Sequence, residues 1–363
     1  MINLLEDNNI FQDMENIYNR SLSYSQLKGK TILITGATGM LASYVVYFLI
    51  WLNEYKQYDI NIVVLVRSKE KCGNRFGEYA AKPYFHMCVD DICKPLQMKN
   101  DIDYIIHAAS LASPQYYGVC PVEVAAPNVL GTYNLLQLAK EKNVSSFLYF
   151  SSGDVYGAMP QGIGAFGEET LGTMDPLAEH SCYGESKRMG ETWCASFARE
   201  YAVPVKIARI GHTYSPTMDV ENDPRVFASF MKCILEGNDI VMHSDGSAMR
   251  PFCYVADAVA AFFLILLKGE NGEAYNVCND QQFISVGELA KILVTLEPEK
   301  ELRVVCQKRK LDDSYMENML NKANCPSADK LRKIGWCCAY DVREGFGRVL
   351  KYLKGQDGLN KKS

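Results

Sequence analysis

The chain has 363 residues, 48% hydrophobic and 22% charged, with a net charge of −5. This composition fits one large or two closely joined globular domains, and the interspersed charges leave no electrostatic footprint for nucleic acid. Thirteen cysteines, odd in number and without a CxxC pair, argue against a disulfide framework or a zinc site and for a reducing cytosol. The N-terminus carries Glu6, Asp7, Asp13 and Glu15, which is wrong for a signal peptide. The longest apolar stretches, Tyr44–Leu52 and Val255–Leu267, fall short of the ~18 residues that span a bilayer, so both read as buried helices. A cytoplasmic protein with no metal and no membrane partner is expected.

Residues 1–28 read as an appended amphipathic helix and a link. From Lys30 the pattern alternates. Strands are predicted at Thr31–Thr35, Asn61–Val66, Tyr84–Val89, Tyr104–His107, Phe147–Ser151 and Val205–Arg209. Helices are predicted at Met40–Leu52, Asn128–Lys142 and Ser186–Tyr201. Short apolar strands alternating with helices predict an α/β fold with a Rossmann-like, doubly wound parallel sheet. After Gly211 the rhythm changes. Helices near Val226–Glu236, Ala256–Lys268, Val286–Leu296 and Val342–Leu353, with a strand at Ile240–His243, suggest a smaller interleaved lobe. The expected division is 29–212 with 251–277 as a dinucleotide-binding domain, 213–250 with 278–355 as a substrate lobe, and 356–363 as a flexible tail.

Thr35-Gly36-Ala37-Thr38-Gly39-Met40-Leu41-Ala42 lies between a strand and a helix. Gly36 allows a tight turn. Gly39 lets backbone approach a pyrophosphate at a helix N-terminus, where amides and dipole favour anions. A plain strand-to-helix turn is the bland alternative. At the end of the second strand, where an acidic residue would hold the ribose of NAD, stand Arg67 and Ser68. A cation and a hydroxyl suit a 2′-phosphate and lean towards NADP; otherwise Arg67 stacks on adenine or points to solvent. Asp91 could accept from the adenine amino group, with Ile92 against the ring. Ala108, Ala109 and Ser110 end the fourth strand, where small residues let the cofactor lie close.

Ser152 follows an apolar run, and Tyr183 and Lys187 lie four apart on one helix face. A free phenol has a pKa of about 10 and is a poor base at neutral pH. A nearby ammonium favours phenolate. Lys187 can also hold the nicotinamide ribose, and Ser152 can hydrogen-bond the reacting hydroxyl or carbonyl.

Together with Asp91-Ile92, His107-Ala108-Ala109, Asn128–Thr132, Ser151–Gly157 and Arg250–Asp257, these residues resemble the extended short-chain dehydrogenase/reductase family of nucleotide-sugar epimerases, dehydratases and decarboxylases. The resemblance runs from about Lys30 to Leu353. Ala112–Tyr117, Cys182–Arg188 and Asp223–Val226 look most similar to the UDP-glucuronate decarboxylases among them. The resemblance implies bound NAD or NADP, with Asn128 near it, and an NDP-sugar substrate. It places Ser113, Pro114, Gly153, His212, Arg225, Val226 and Arg250 around that substrate, the two arginines as candidates for the diphosphate or the sugar. It also implies a homodimer through the Asn128–Lys142 helix and the helix of Tyr183.

The shared chemistry of that family is proton removal from the sugar 4-hydroxyl by the tyrosine and hydride transfer from C4. The 4-keto sugar is then epimerised, dehydrated or decarboxylated. The 4,6-dehydratases carry an Asp-Glu pair after the serine, whereas this chain has Gly153-Asp154. The donor position is blank. Decarboxylases carry a small or polar residue and then Glu; Asp154 keeps the carboxylate, one methylene shorter. Its other reading is a side chain that holds loop amides. His212 stands where relatives place Asn, and could contact phosphate, act as an acid/base or fill space. Glu168 and Glu169 could reach the sugar or simply be solvated. A decarboxylase-like or 4-epimerase outcome is expected, with a 4,6-dehydratase or an NADPH-dependent 4-keto-sugar reductase as alternatives. A non-catalytic dinucleotide sensor is a third possibility, against which the intact Ser152, Tyr183 and Lys187 set argues.

Overall fold

The computed structural model describes residues 4–20, 22–160, 162–307 and 324–360. Seven parallel strands make the central sheet: β1 (Thr31–Thr35), β2 (Asn61–Val66), β3 (Phe85–Val89), β4 (Tyr104–His107), β5 (Ser146–Ser152), β6 (Val205–Ile210) and β7 (Ala274–Val277). Their spatial order is β7-β6-β5-β4-β1-β2-β3. β1 is flanked by β2 on one side and β4 on the other, so the winding reverses there. A crevice opens beyond the carboxyl ends of such a pair, which is where ligands bind in this architecture.

The helices are α1 (Asn8–Tyr18), α2 (Met40–Lys56), α3 (Lys69–Phe76), α4 (Pro121–Ala126), α5 (Thr132–Lys142), α6 (Ser181–Tyr201), α7 (Val226–Glu236), α8 (Val255–Lys268), α9 (Val286–Val294), α10 (Asp329–Lys333) and α11 (Val342–Asn360). The strands are apolar on both faces because both are covered. Ile32 and Ile34 of β1 point into a core with α1, α2 and α8, while Leu33 points into one with α5 and α6. α9 starts at a capping box in which Ser285 and Glu288 satisfy each other's backbone amides.

Four expectations are revised. β7 was not predicted; it is a short run with polar Asn276, legible only through its pairing with β6. Asn128–Lys142 is helical throughout, but it opens in a π-helical turn, Pro127–Gly131, that continues from α4 before α5 begins. The tyrosine helix starts at Ser181 rather than Ser186, so Tyr183 sits in its first turn. α11 continues to Asn360, into the stretch read as a flexible tail, whose residues 361–363 lie outside the described residues.

The N-terminal extension is seated in the core, with Ile10, Met14 and Ile17 fully buried. Asp13 on α1 lies at the centre of a polar node. It accepts from the hydroxyls of Tyr44 (2.5 Å), Tyr254 (2.6 Å) and Tyr340 (3.0 Å), and pairs with Arg348 at 2.7 Å. Burial pushes its carboxyl upward, against the pull of Arg348 and the three phenols. A second tie joins Arg20 to buried Asp257 at 2.5 Å. Among the described residues, no helix is long and apolar enough to cross a membrane.

Candidate active site

The glycine loop sits where β1 meets α2. Gly36 has φ +66°, and a methyl group there would lie 2.6 Å from Ala109 Cα. Only glycine permits both the turn and the close approach to Ala108 and Ala109. Gly39 is exposed in the N-cap position of α2 and brings no side-chain cap, so the first amides of this helix face the crevice. Thr38, Met40 and Leu41 line the same rim, half-buried. A cradle this close to backbone, with open helix amides and a floor of small residues, fits a dinucleotide pyrophosphate.

Beyond β2, Arg67 is exposed, while the Ser68 hydroxyl caps α3 by accepting from the Lys71 amide at 3.2 Å. Asp91 caps its own turn through the Cys93 amide at 3.0 Å. Ile92 is buried against Gly131, where a methyl group would lie 2.6 Å from its Cδ1. Asn128 is fully buried; its amide nitrogen donates to Val124 O (3.1 Å) and Ser186 Oγ (3.0 Å). Its Oδ1, like the hydroxyls of Ser110 and Ser113, is buried without a partner among the described residues. Unpaired buried polar atoms of this kind are what a bound ligand would satisfy.

β5 ends at Ser152, whose hydroxyl accepts from the Asp154 amide at 3.1 Å and opens the turn Gly153–Tyr156. α6 presents Tyr183 and Lys187 to the same point. Lys187 donates to Phe150 O at 2.7 Å, and its Nζ lies 5.7 Å from the Tyr183 ring centre. Burial pulls Lys187 down to about 7, with Glu191 opposing. Burial and the Asp154 charge push the Tyr183 phenol up, while its hydrogen bond with Ser152 and the charge of Arg225 pull it back.

Asp154 is ringed by protein yet exposed to the cleft. Enclosure raises its pKa, against Arg250 and Lys187, and the effect is fullest once a ligand displaces the cleft water. Among the described residues its carboxylate accepts no hydrogen bond, so it does not hold loop amides. His212 also faces the cleft. Its ring meets Phe252 edge-on at 6.2 Å, and enclosure with Arg250 and Arg225 nearby keeps it neutral. Arg250 sits on the strand Met249–Pro251 and donates to Met249 O at 2.7 Å. Arg225 precedes Val226 at the start of α7, clamps Asp223 (2.9 and 2.5 Å) and reaches Met40 Sδ at 3.7 Å, so it ties the start of α7 to the glycine-loop helix. Pro114 opens a short 3₁₀ turn beside Ser113.

Two groups were not foreseen. Tyr117 stacks on Tyr183, with ring centres 5.4 Å apart and planes 14° off parallel. The Tyr116-Tyr117 pair after Ser113-Pro114 was its only trace in sequence. Glu191 accepts from Ser151 (2.6 Å) and Arg209 (3.0 and 2.7 Å), a brace beneath β5 built from separate elements. Glu168 is half-buried and accepts from the Asn276 amide at 2.7 Å, so one of its oxygens is engaged within the protein. Glu169 is exposed.

A Rossmann sheet, a glycine cradle and a Ser/Tyr/Lys set at its rim define a dinucleotide-dependent enzyme. The sequence pattern of the NAD dependent epimerase/dehydratase family matches residues 32–278, and the chain belongs to that family. Its relatives include UDP-glucuronic acid decarboxylase 6 of Arabidopsis thaliana, 30% identical over 335 residues, covering 91% of each chain. UDP-glucuronic acid decarboxylase 1 of Xenopus tropicalis is 29% identical over 91% of this chain and 73% of its own. The same fold is found in a UDP-glucose 4-epimerase from Thermotoga maritima solved with UDP-glucose (TM-score 0.75, 23% identity, 90% of this chain and 99% of that one). It recurs in a UDP-glucuronic acid 4-epimerase from Bacillus cereus solved with UDP-glucuronic acid and NAD (TM-score 0.72, 20% identity, 90% and 99%). The protein is thus an NAD-dependent enzyme of the nucleotide-sugar-modifying class.

Proposed function

We propose that this enzyme oxidises an NDP-uronic acid at C4 and decarboxylates it, in the manner of a UDP-glucuronate decarboxylase. The carrying observation is the unengaged carboxylate of Asp154 beside Arg250, next to Ser152, Tyr183 and Lys187. Tyr183 takes the proton of the sugar 4-hydroxyl, with Ser152 hydrogen-bonded to the same oxygen and Lys187 favouring the phenolate. A dinucleotide held by Gly36, Gly39 and the first amides of α2 would supply the acceptor for the C4 hydride and the donor that returns it. Arg250 pairs with the uronate carboxylate. The C5–C6 bond then breaks, CO₂ leaves, and the electron pair passes into the enolate of the 4-ketone. Asp154, its carboxyl raised by enclosure, handles the proton that C5 must regain. Arg225 meets the diphosphate and exchanges Asp223 for it, while His212 offers a neutral hydrogen-bonding ring.

Gly153, with no side chain to protonate a leaving hydroxyl, disfavours 4,6-dehydration. The second reading is 4-epimerisation of the same uronate, favoured by the shorter reach of Asp154. ¹H NMR of UDP-glucuronate incubated with the enzyme separates them: a pentose product with loss of CO₂ supports the first, UDP-galacturonate the second, and an untouched substrate sinks both.

We read the cofactor as NAD, with NADP second, because Ser68 is committed to α3 and only Arg67 is left for a 2′-phosphate. A homodimer through α5 and α6 is supported by exposed Tyr133 on α5, Met189 and Tyr201 on α6, and Leu130 in the turn before α5. Thirteen free cysteines support a reducing, cytoplasmic setting.

A further inference from the structure

A continuous chain of hydrogen bonds runs from the glycine cradle to the tyrosine helix, and a histidine with no part in the chemistry above stands at its centre. Thr35, the residue before Gly36, lies with Oγ1 2.9 Å from His107 Nδ1. Its Oγ1 also accepts from the Ala109 amide at 3.2 Å. On the other side of the ring, His107 Nε2 lies 3.1 Å from Thr132 Oγ1. Thr132 donates to Asn128 O at 2.6 Å. Asn128 Nδ2 donates to Ser186 Oγ at 3.0 Å, and Ser186 donates to the carbonyl of Tyr183 at 2.8 Å. Thr35, His107, Thr132, Asn128 and Ser186 are all at least nine-tenths buried.

Donor counting gives every bond a direction. The Thr132 proton is spent on Asn128 O, a pure acceptor, so Thr132 offers His107 only a lone pair. Nε2 must therefore carry a proton. The nearby Pro127 carbonyl, next to Asn128 in the chain, also favours a ring that donates. In a neutral ring Nδ1 is then an acceptor, and the Thr35 hydroxyl donates to it while accepting from Ala109 N–H. The Asn128 amide is oriented by the Val124 carbonyl, which needs a donor. Reversing the Thr132 bond would take from the Asn128 carbonyl the hydroxyl proton it accepts here at 2.6 Å. Burial and the charge of Lys187 hold the ring down to about 3, in keeping with this count.

We propose that His107, locked as its Nε2–H tautomer, is a positioning residue that sets the glycine cradle and Ala109 relative to the helix bearing Tyr183. It acts through Thr35 on the cofactor side and through Thr132, Asn128 and Ser186 on the tyrosine side. Without it, Thr35 and Thr132 lose their shared partner, and the cradle is no longer tied to the π-helical turn. Glutamine keeps a donor and an acceptor at nearly the spacing of the two ring nitrogens; leucine keeps neither.

Two measurements test this, and neither needs sugar turnover. The first is ¹⁵N NMR of ring-labelled histidine in the full-length protein, with the resonance assigned by its loss in His107→Gln. The expected ring carries its proton on Nε2 and does not titrate between pH 5 and 9; a proton on Nδ1, or titration in that window, overturns the proposal. The second compares NAD⁺ and UDP binding by calorimetry. His107→Leu should weaken NAD⁺ by about tenfold or more with UDP affinity kept, and His107→Gln should return NAD⁺ to within about threefold of the parent. Unchanged NAD⁺ affinity in His107→Leu, or an equal loss for both ligands, overturns it. Failure of the parent itself to bind UDP would count against the nucleotide-sugar reading instead, and the NMR result would still decide the tautomer.

Discussion

Asp13 and Asp154 are two enclosed carboxylates, and the molecule treats them in opposite ways. Asp13 has three phenols and a guanidinium within 3.0 Å, every one drawn from a different element. Asp154 has cations nearby and, among the described residues, no hydrogen-bond donor on its carboxylate. Burial raises both. The fully satisfied one has nothing left to give a substrate and serves to hold elements together. The under-satisfied one, open to the cleft, keeps its lone pairs unengaged, as its proposed role requires.

The widest gap between the two regions should come from chemistry. Asp154→Asn is expected to lower product formation by roughly 10²–10⁴, the usual range for an acid/base group, with little change in the melting temperature. A rate within threefold of the parent, followed by NMR, would make Asp154 a bystander. Asp13→Ala should do the reverse. It strands Arg348 without its carboxylate and should cost about 3–5 kcal/mol of stability in urea unfolding, while the folded fraction keeps its rate per molecule. If stability held and the rate fell, the node would belong to the site.

A smaller effect separates the regions by pH. Lys187 is pulled down to about 7 in the folded enzyme, well below its unfolded value. The folded state therefore binds fewer protons than the unfolded one between pH 7 and about 10, so stability should rise with pH across that window. Lys206, lowered to about 8, adds to the same slope. Lys187→Met should flatten the rise in melting temperature of the cofactor-free protein between pH 7 and 9 without abolishing it; an unchanged slope would place the Lys187 charge in water. The smallest effect expected is at the cofactor edge. Arg67→Ala should weaken NADP⁺ by about threefold to tenfold and leave NAD⁺ nearly unaffected, as read by competition binding. Equal losses for both would mean the guanidinium stacks on adenine.

Much of the site was legible because it is local. Gly36 and Gly39 lie three apart in one turn, Tyr183 and Lys187 four apart on one helix, and Ser152 at the end of an apolar run. Such spacing follows directly from helix and strand periods. The π-helical turn at Pro127–Gly131 escaped because a single wider turn of five residues is too short to register as a change of hydrophobic period. Tyr117 escaped because stacking is a relation between a loop and a helix 66 positions away.

The sequence by itself determined the alternating layers, the glycine loop and the Tyr183–Lys187 spacing, since each depends on neighbours within a few residues. Only the tertiary structure decided which polar groups would be satisfied. Asp13 meets partners 31, 241 and 327 residues distant, and His107 is set between Thr35 and Thr132, 72 and 25 residues away. Those pairings have no signature in the order of residues, because a carboxylate or an imidazole is compatible with many partners, and the one it receives is chosen by how the sheet and helices close around it.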